Sequence, residues 1–212
     1  MELKAICLCL VALTLLVLLV NLSRLPTYCR WLVWLISLSL AMEFITGFLH
    51  FRGLNMHIAQ HAYQLTKLFL VCGFYHDLLP QRRHQQIIKL VFGLYAAALA
   101  IYYFFHPMLF WKESLFDVLM EAIICLIFVV VFFRTILFQF QLVNLSKYTA
   151  FWINAAYLMY YCACIFVVGF YLCLKTAHAG LTGALSAFNY LLAMFLYATY
   201  LIIFLCTATQ RN

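Results

Sequence analysis

Residues 5–22 have the sequence AICLCLVALTLLVLLVNL, an apolar run without a charged side chain. At a rise of about 1.5 Å per residue, a helix of about 20 such residues crosses the hydrocarbon core of a bilayer. Lys4 precedes the run, and Arg24, Pro26 and Arg30 follow it. The run predicts a membrane-spanning helix rather than a cleaved secretory signal, because no A-x-A-like cleavage site follows it.

The rest of the chain continues this apolar character. Hydrophobic residues make up 68% of the 212 residues and charged residues 9%, whereas a soluble domain carries about 25% charged residues. Only helices satisfy their backbone groups within one segment in lipid, and the alternating pattern of a membrane barrel is absent from the sequence. We therefore predict an all-α integral membrane protein, a seven-transmembrane-helix bundle that forms a single domain over residues 1–212. Its spans are predicted at 4–22, 30–50, 57–79, 87–105, 114–138, 150–174 and 186–208.

Basic residues near the ends of these spans predict the orientation, because cytoplasmic loops are enriched in Lys and Arg. One side of the predicted bundle carries Lys4, Arg52, Lys112 and Lys175. The other side carries Arg24, Arg30, Arg82, Arg83, Lys89, Arg134, Lys147 and Arg211. The excess on the second side predicts that the N-terminus is outside and the C-terminus is cytoplasmic. The formal net charge of +7 therefore serves topology and does not indicate a nucleic-acid partner.

The few ionisable residues at bilayer depth are the main clues to function, because a charge there costs about 3 kcal/mol on insertion scales. Glu43 lies about 10 Å deep on helix 2, and Lys67 lies about 15 Å deep on helix 3. Long side chains bridge this difference in depth, so an ion pair between Glu43 and Lys67 is predicted. Asp117 or Glu121 is the alternative partner of Lys67. A pair that only fixes helix packing and a ligand-binding or proton-sensitive site are both open.

Two pairs of residues at i,i+4 spacing suggest a metal site. His57 and His61 share one face of helix 3, and Asp117 and Glu121 share one face of helix 5. Mixed nitrogen and oxygen ligands suit zinc, iron or manganese. The motif has no H-E-x-x-H segment and no third histidine, so histidines at the headgroup level and solvated carboxylates are the alternative interpretation. No other cofactor is predicted.

Three amides complete the polar set. Gln64 lies near the stripe of His57 and His61. Asn154 and Asn189 can bridge helices by hydrogen bonds worth about 0.6–2 kcal/mol each. The predicted ligand-binding or ion-pair residues are Glu43, His61, Gln64, Lys67, Glu121, Asn154 and Asn189.

Several segments resemble a family of small seven-helix membrane proteins common in Bacteroidota. Phe151-Trp152-Ile153-Asn154 followed by Leu158-x-Tyr160 is similar to that family's helix-6 pattern, and Glu43 matches an acidic residue within its helix 2. Ala62-Tyr63-Gln64-Leu65-Thr66 and Gln81-Arg82-Arg83 resemble the family's helix-3 opening and its charged break before helix 4. The resemblance implies a sensor-type seven-helix fold in a bacterial inner membrane and no activity. Where the family has an acidic residue in helix 3 this chain has Lys67, which favours an ion pair over a metal site.

The leading functional hypothesis is a non-enzymatic sensor- or receptor-like unit. It would bind a small or lipid-like ligand in an outward-facing polar pocket within the membrane and act on a membrane or cytoplasmic signalling partner. An intramembrane metal-dependent lipid hydrolase that uses the His/carboxylate site is the first alternative. A small transporter is the second, and it is disfavoured because no central Pro or Gly pair interrupts a span.

Overall fold

The structure, a computed structural model, describes residues 2–106, 115–139, 148–174 and 181–209. Within these ranges the regular structure is helical, as predicted, and consists of seven α-helices and one short 3-10 helix at Leu22–Arg24. The α-helices are α1 (Glu2–Val20), α2 (Cys29–Phe51), α3 (His57–Leu78), α4 (Arg82–Phe105), α5 (Leu115–Gln139), α6 (Thr149–Leu174) and α7 (Leu181–Thr209).

The helices follow the predicted spans closely except at two starts. Helix α4 begins at Arg82 instead of residue 87, and α7 begins at Leu181 instead of residue 186. Both predicted starts were placed where the apolar run begins, but each helix extends further towards its N-terminus through polar and small residues.

Four of the basic residues on which the predicted orientation depends lie outside the described ranges. They are Lys112, Lys147, Lys175 and Arg211.

Six of the seven helices are long and apolar enough to cross a membrane, judged by length and composition over the described residues. The exception is α3. It carries His57, His61, Lys67, His76 and Asp77, so its mean hydropathy is lower than that of the others. The prediction of seven spans is therefore supported for six helices, and α3 needs a separate argument.

The helices fall into two compact units. The central unit covers Pro26–Glu121, and in it α2 packs on α3 and α3 packs on α4. The terminal unit covers Met1–Leu25 and Ala122–Asn212, and in it α1 and α6 both pack on α7. The prediction of a single domain stays a prediction.

The chain turns between α2 and α3 at Gly53. Its φ of +65° is a left-handed conformation that glycine adopts without steric cost. The N–H of Leu54 donates to the carbonyl of Leu49 (2.9 Å), and the N–H of Gly53 donates to the carbonyl of His50 (3.1 Å). These two bonds form a Schellman motif, which satisfies the last carbonyls of α2 and lets α3 return beside it.

A close contact holds α2 against α3 near the other end of this hairpin. An added Cβ at Gly73 would lie 2.6 Å from an atom of the Trp31 ring. The Trp31 indole N–H donates to Asp77 Oδ2 (2.7 Å), one turn beyond Gly73. The Trp31 ring thus fills the space that the missing side chain of Gly73 leaves.

The terminal unit has a core of tyrosines and small polar side chains. Tyr157 of α6 and Tyr200 of α7 are buried and meet edge to face, with ring centroids 6.0 Å apart. The hydroxyl of Thr14 on α1 donates to the carbonyl of Tyr197 on α7 (3.2 Å). Hydroxyl contacts of this kind join helices whose surfaces are otherwise apolar.

We predict that Gly73→Ala destabilises the protein by about 1–3 kcal/mol, the usual cost of overpacking a filled core. The Trp31 ring cannot move away without loss of its hydrogen bond to Asp77. Thermal unfolding in detergent micelles measures the effect.

Gly47→Ala is the matched control, because a Cβ at Gly47 meets nothing within 4 Å. Gly47 lies within α2, so alanine there is expected to stabilise by about 0.5–1 kcal/mol. Equal shifts in the two variants would contradict the proposed close contact.

Candidate functional site

A buried ion pair joins α3 to the start of α5 in the central unit. The Nζ atom of Lys67 lies 2.7 Å from Glu121 Oε1, and the two side chains are 15% and 2% exposed. A carboxylate so far from water is stabilised only by a close positive charge and further hydrogen bonds. The sequence named Glu121 as an alternative partner of Lys67, and the structure brings these two residues together.

A second polar contact lies one helical turn away on α5. His61 Nδ1 lies 2.6 Å from Asp117 Oδ2, and the Asp117 side chain is 2% exposed. The hydroxyl of Tyr103, on α4, donates to the same Asp117 oxygen (2.7 Å) and lies 3.0 Å from His61 Nδ1. In the tautomer with a proton on Nδ1, His61 also donates to Asp117, so one carboxylate oxygen accepts from two helices.

These two contacts form one site, which we call the buried charge cluster. Its residues are His61 and Lys67 of α3, Tyr103 of α4, and Asp117 and Glu121 of α5. Asp117 and Glu121 are four residues apart, so they share one face of α5 as their spacing predicts. Both carboxylates are almost fully buried, at 1% and 2% exposure. The cluster therefore concentrates most of the buried charge of the described helices between α3 and α5.

Tyr63 extends the cluster towards α2. The Lys67 ammonium lies 5.9 Å from the centre of the Tyr63 ring, within the range of a cation–π contact. The Tyr63 hydroxyl lies 3.1 Å from Ser39 Oγ on α2. Lys67 is thus in contact with α5 through its charge and with α2 through an aromatic side chain.

Glu43, the acidic residue predicted to face Lys67, is half-buried on α2. Its backbone carbonyl accepts a hydrogen bond from the Thr46 hydroxyl (3.2 Å). The predicted pairing of Glu43 with Lys67 stays a prediction. Gln64 is also half-buried, and it lies on α3 midway between His61 and Lys67 in sequence.

The four predicted metal ligands have other close neighbours. His57 Nδ1 lies 3.0 Å from Gln60 Oε1, His61 contacts Asp117, and Glu121 contacts Lys67. Among the residues that the structure describes, no group of three or more His, Cys, Asp or Glu side chains is arranged to hold a metal ion. The predicted metal site of His57, His61, Asp117 and Glu121 stays a prediction.

The two predicted asparagines belong to the terminal unit. Asn154 is fully buried on α6, and its amide donates to the carbonyl of Ala150 in the same helix (2.8 Å). Asn189 is exposed on α7. Their predicted roles in ligand binding stay predictions.

Sequence reasoning missed Tyr103, which the structure places in the cluster. A usable signal was present, because Tyr95, Tyr102 and Tyr103 carry the only hydroxyl groups in the sequence between Leu90 and Phe105. A buried tyrosine hydroxyl usually finds a hydrogen-bond partner, so each of these was a candidate.

Six helices of this length and apolarity are consistent with a polytopic membrane protein in contact with a lipid bilayer. No protein-family model, no curated protein and no solved structure matches this chain. The resemblance to the Bacteroidota membrane family stays a prediction.

We predict that Lys67→Met destabilises the protein by about 3–5 kcal/mol, because it leaves the buried Glu121 carboxylate without its ammonium partner. The double variant Lys67→Met/Glu121→Leu should recover most of this loss, since two apolar residues of similar volume need no charge compensation. Unfolding free energies of the two single variants and the double variant in detergent give the coupling energy.

Lys89→Met is the control, because Lys89 is exposed on α4 and its loss should change stability by less than about 0.5 kcal/mol. Additive effects of the Lys67 and Glu121 substitutions would contradict the ion pair. The same cycle with Glu43→Gln tests the predicted pairing of Glu43 with Lys67.

Tyr103→Phe removes the hydroxyl that donates to Asp117 and nothing else. We predict a loss of about 1.5–3 kcal/mol, the usual value for a hydrogen bond to a charged group. Tyr102→Phe is the neighbouring control, because Tyr102 contacts Phe116 through its stacked ring, with centroids 4.7 Å apart. Equal losses in the two variants would rule out a specific role for the Tyr103 hydroxyl.

Proposed function

We propose that this chain is a non-enzymatic, sensor- or receptor-like membrane protein that binds a small or lipid-like ligand at the buried charge cluster. One observation carries the proposal: Asp117 and Glu121 are buried at 1% and 2% exposure between apolar helices. Ionisable residues at membrane depth are costly and usually serve binding, transport or signalling. The bound ligand would replace one of the contacts between α3 and α5. A membrane or cytoplasmic partner would respond to the loss of that contact.

The proposal includes seven spans, with α3 as the seventh. The exposed residues of α3 between His57 and Phe69 are Ile58, Ala62, Leu65, Thr66 and Phe69. They recur at helical spacing and carry no charge, and the Thr66 hydroxyl donates to the Ala62 carbonyl (2.8 Å). A helix with this exposed stripe suits lipid contact, although its mean hydropathy is lowered by the residues that it turns inward.

The proposed topology has the N-terminus outside and the C-terminus in the cytoplasm, in a bacterial inner membrane. Arg52 and Arg82 flank α3 and are both exposed. In a variant whose native cysteines are replaced, we predict that Arg52→Cys reacts with a membrane-impermeant maleimide added outside intact cells. Arg82→Cys should react only after the membrane is opened. Reaction of both from the same side would contradict a spanning α3.

The binding role is tested on protein extracted with its native lipids into polymer nanodiscs. We predict that mass spectrometry detects a stoichiometric small or lipid-like molecule in the wild-type protein that is absent from Lys67→Met/Glu121→Leu. That double variant loses the charges while its apolar side chains preserve the contact between α3 and α5. Lys89→Met is the control and should retain the molecule. The same set of molecules in all three proteins would overturn the proposal.

A further inference from the structure

Two buried oxygen atoms beside the cluster have no hydrogen-bond partner in the described part of the chain. They are the hydroxyl oxygen of Tyr95, whose side chain is on α4, and Oε1 of Gln64 on α3. Tyr95 is 3% exposed. Buried polar atoms are nearly always hydrogen-bonded, so an exception calls for a bound water, an ion or a ligand.

Both atoms belong to the surroundings of the cluster. Tyr95 lies on α4, the helix that carries Tyr103 of the cluster and packs on α3, and its hydroxyl interacts electrostatically with Asp117, Glu121 and Lys67. Gln64 is three residues from both His61 and Lys67, so its side chain leaves α3 in a direction between those of the other two. The side chains of His61 and Lys67 both contact α5. The hydroxyl and the amide oxygen thus add two neutral oxygen ligands to two carboxylates.

The chemistry of this set favours a small cation. Carboxylate, amide carbonyl and hydroxyl oxygens are the ligands that hard cations prefer. The cluster holds two carboxylates and one ammonium, so one further positive charge suits it. Because Asp117 and Glu121 are 1% and 2% exposed, a single ion reaches them with less rearrangement than an organic ligand.

We propose that Tyr95, Gln64, Asp117 and Glu121 form a binding site for one small monovalent metal cation of the sodium class. The inference rests on the proposed function, since it names the ligand class of the same cluster. In this site the cation lies between α3, α4 and the start of α5, and Lys67 remains the counterion of Glu121.

Thermal unfolding of the purified protein in phosphatidylcholine nanodiscs tests the site, with sodium, potassium or choline chloride at equal ionic strength. Wild-type protein should unfold at a higher temperature in sodium chloride than in choline chloride, with a saturable dependence on concentration. A larger rise in potassium than in sodium would support the site with a different size preference. Equal unfolding temperatures in all three salts would overturn it.

Tyr95→Phe is the decisive variant, because it removes one proposed ligand and no described hydrogen bond. In choline chloride it should be as stable as the wild-type protein or more stable, since it removes an unsatisfied buried hydroxyl. In sodium chloride its half-saturating concentration should rise at least about tenfold, the effect of losing one good contact. Tyr102→Phe is the control and should keep the wild-type response.

An unchanged sodium response in Tyr95→Phe would overturn the assignment of this site. That outcome is distinct from failure of the proposed function, because the search for co-purified molecules is made without added sodium salts and does not depend on Tyr95. A co-purified molecule with no sodium response would remove only the cation site.

Discussion

The two buried carboxylates at the start of α5 constrain how that segment meets α3 in the central unit. Moving a carboxylate from water to a low-dielectric interior costs several kcal/mol, even after the protein relaxes. Asp117 and Glu121 therefore require that the start of α5 lie where Lys67, His61 and Tyr103 can reach it. Two contacts one helical turn apart fix both the rotation and the axial position of the first turns of α5, up to Glu121, on α3. A purely apolar contact would leave both of these less well defined, because apolar side chains slide past one another at little cost.

The terminal unit is held together by a different kind of interaction. Its helices meet through tyrosine rings and through single hydroxyl groups, such as Thr149 and Thr207, whose oxygens lie 3.1 Å apart. The Thr207 hydroxyl also donates to the Ile203 carbonyl in its own helix, and the Thr14 hydroxyl donates to the Tyr197 carbonyl of a neighbouring helix, so burial of these groups is tolerated. Such contacts join helices without placing a charge at depth. The Lys67–Glu121 ion pair and the His61–Asp117 contact lie in the central unit, which is where a binding site is best sought.

The sequence was sufficient to predict the helices, because they follow from the length of the apolar runs. It was not sufficient to identify the partner of Lys67. Glu43, Asp117 and Glu121 all lie at compatible depths, and depth does not say which helices are neighbours. Tyr103 was missed for a related reason, since a tyrosine is apolar over most of its surface and its hydroxyl matters only when a carboxylate is within reach. The starts of α4 and α7 were predicted several residues too late, because an apolar run marks only the lipid-crossing part of a helix and not its whole length.

The composition of α3 bears on why the cluster exists. A buried ion pair is weak evidence for stability, because well-packed hydrophobic residues of similar volume are often as stable or more stable. A chain that is 68% hydrophobic has ample apolar side chains with which to hold α3 on α5. It instead places two carboxylates, an ammonium and an imidazole there, and leaves the Tyr95 hydroxyl and Gln64 Oε1 buried beside them without partners in the described residues. Stability alone does not account for this arrangement. The binding that we propose would account for it, because a bound cation or polar ligand would satisfy the Tyr95 hydroxyl and Gln64 Oε1 and offset the cost of burying them.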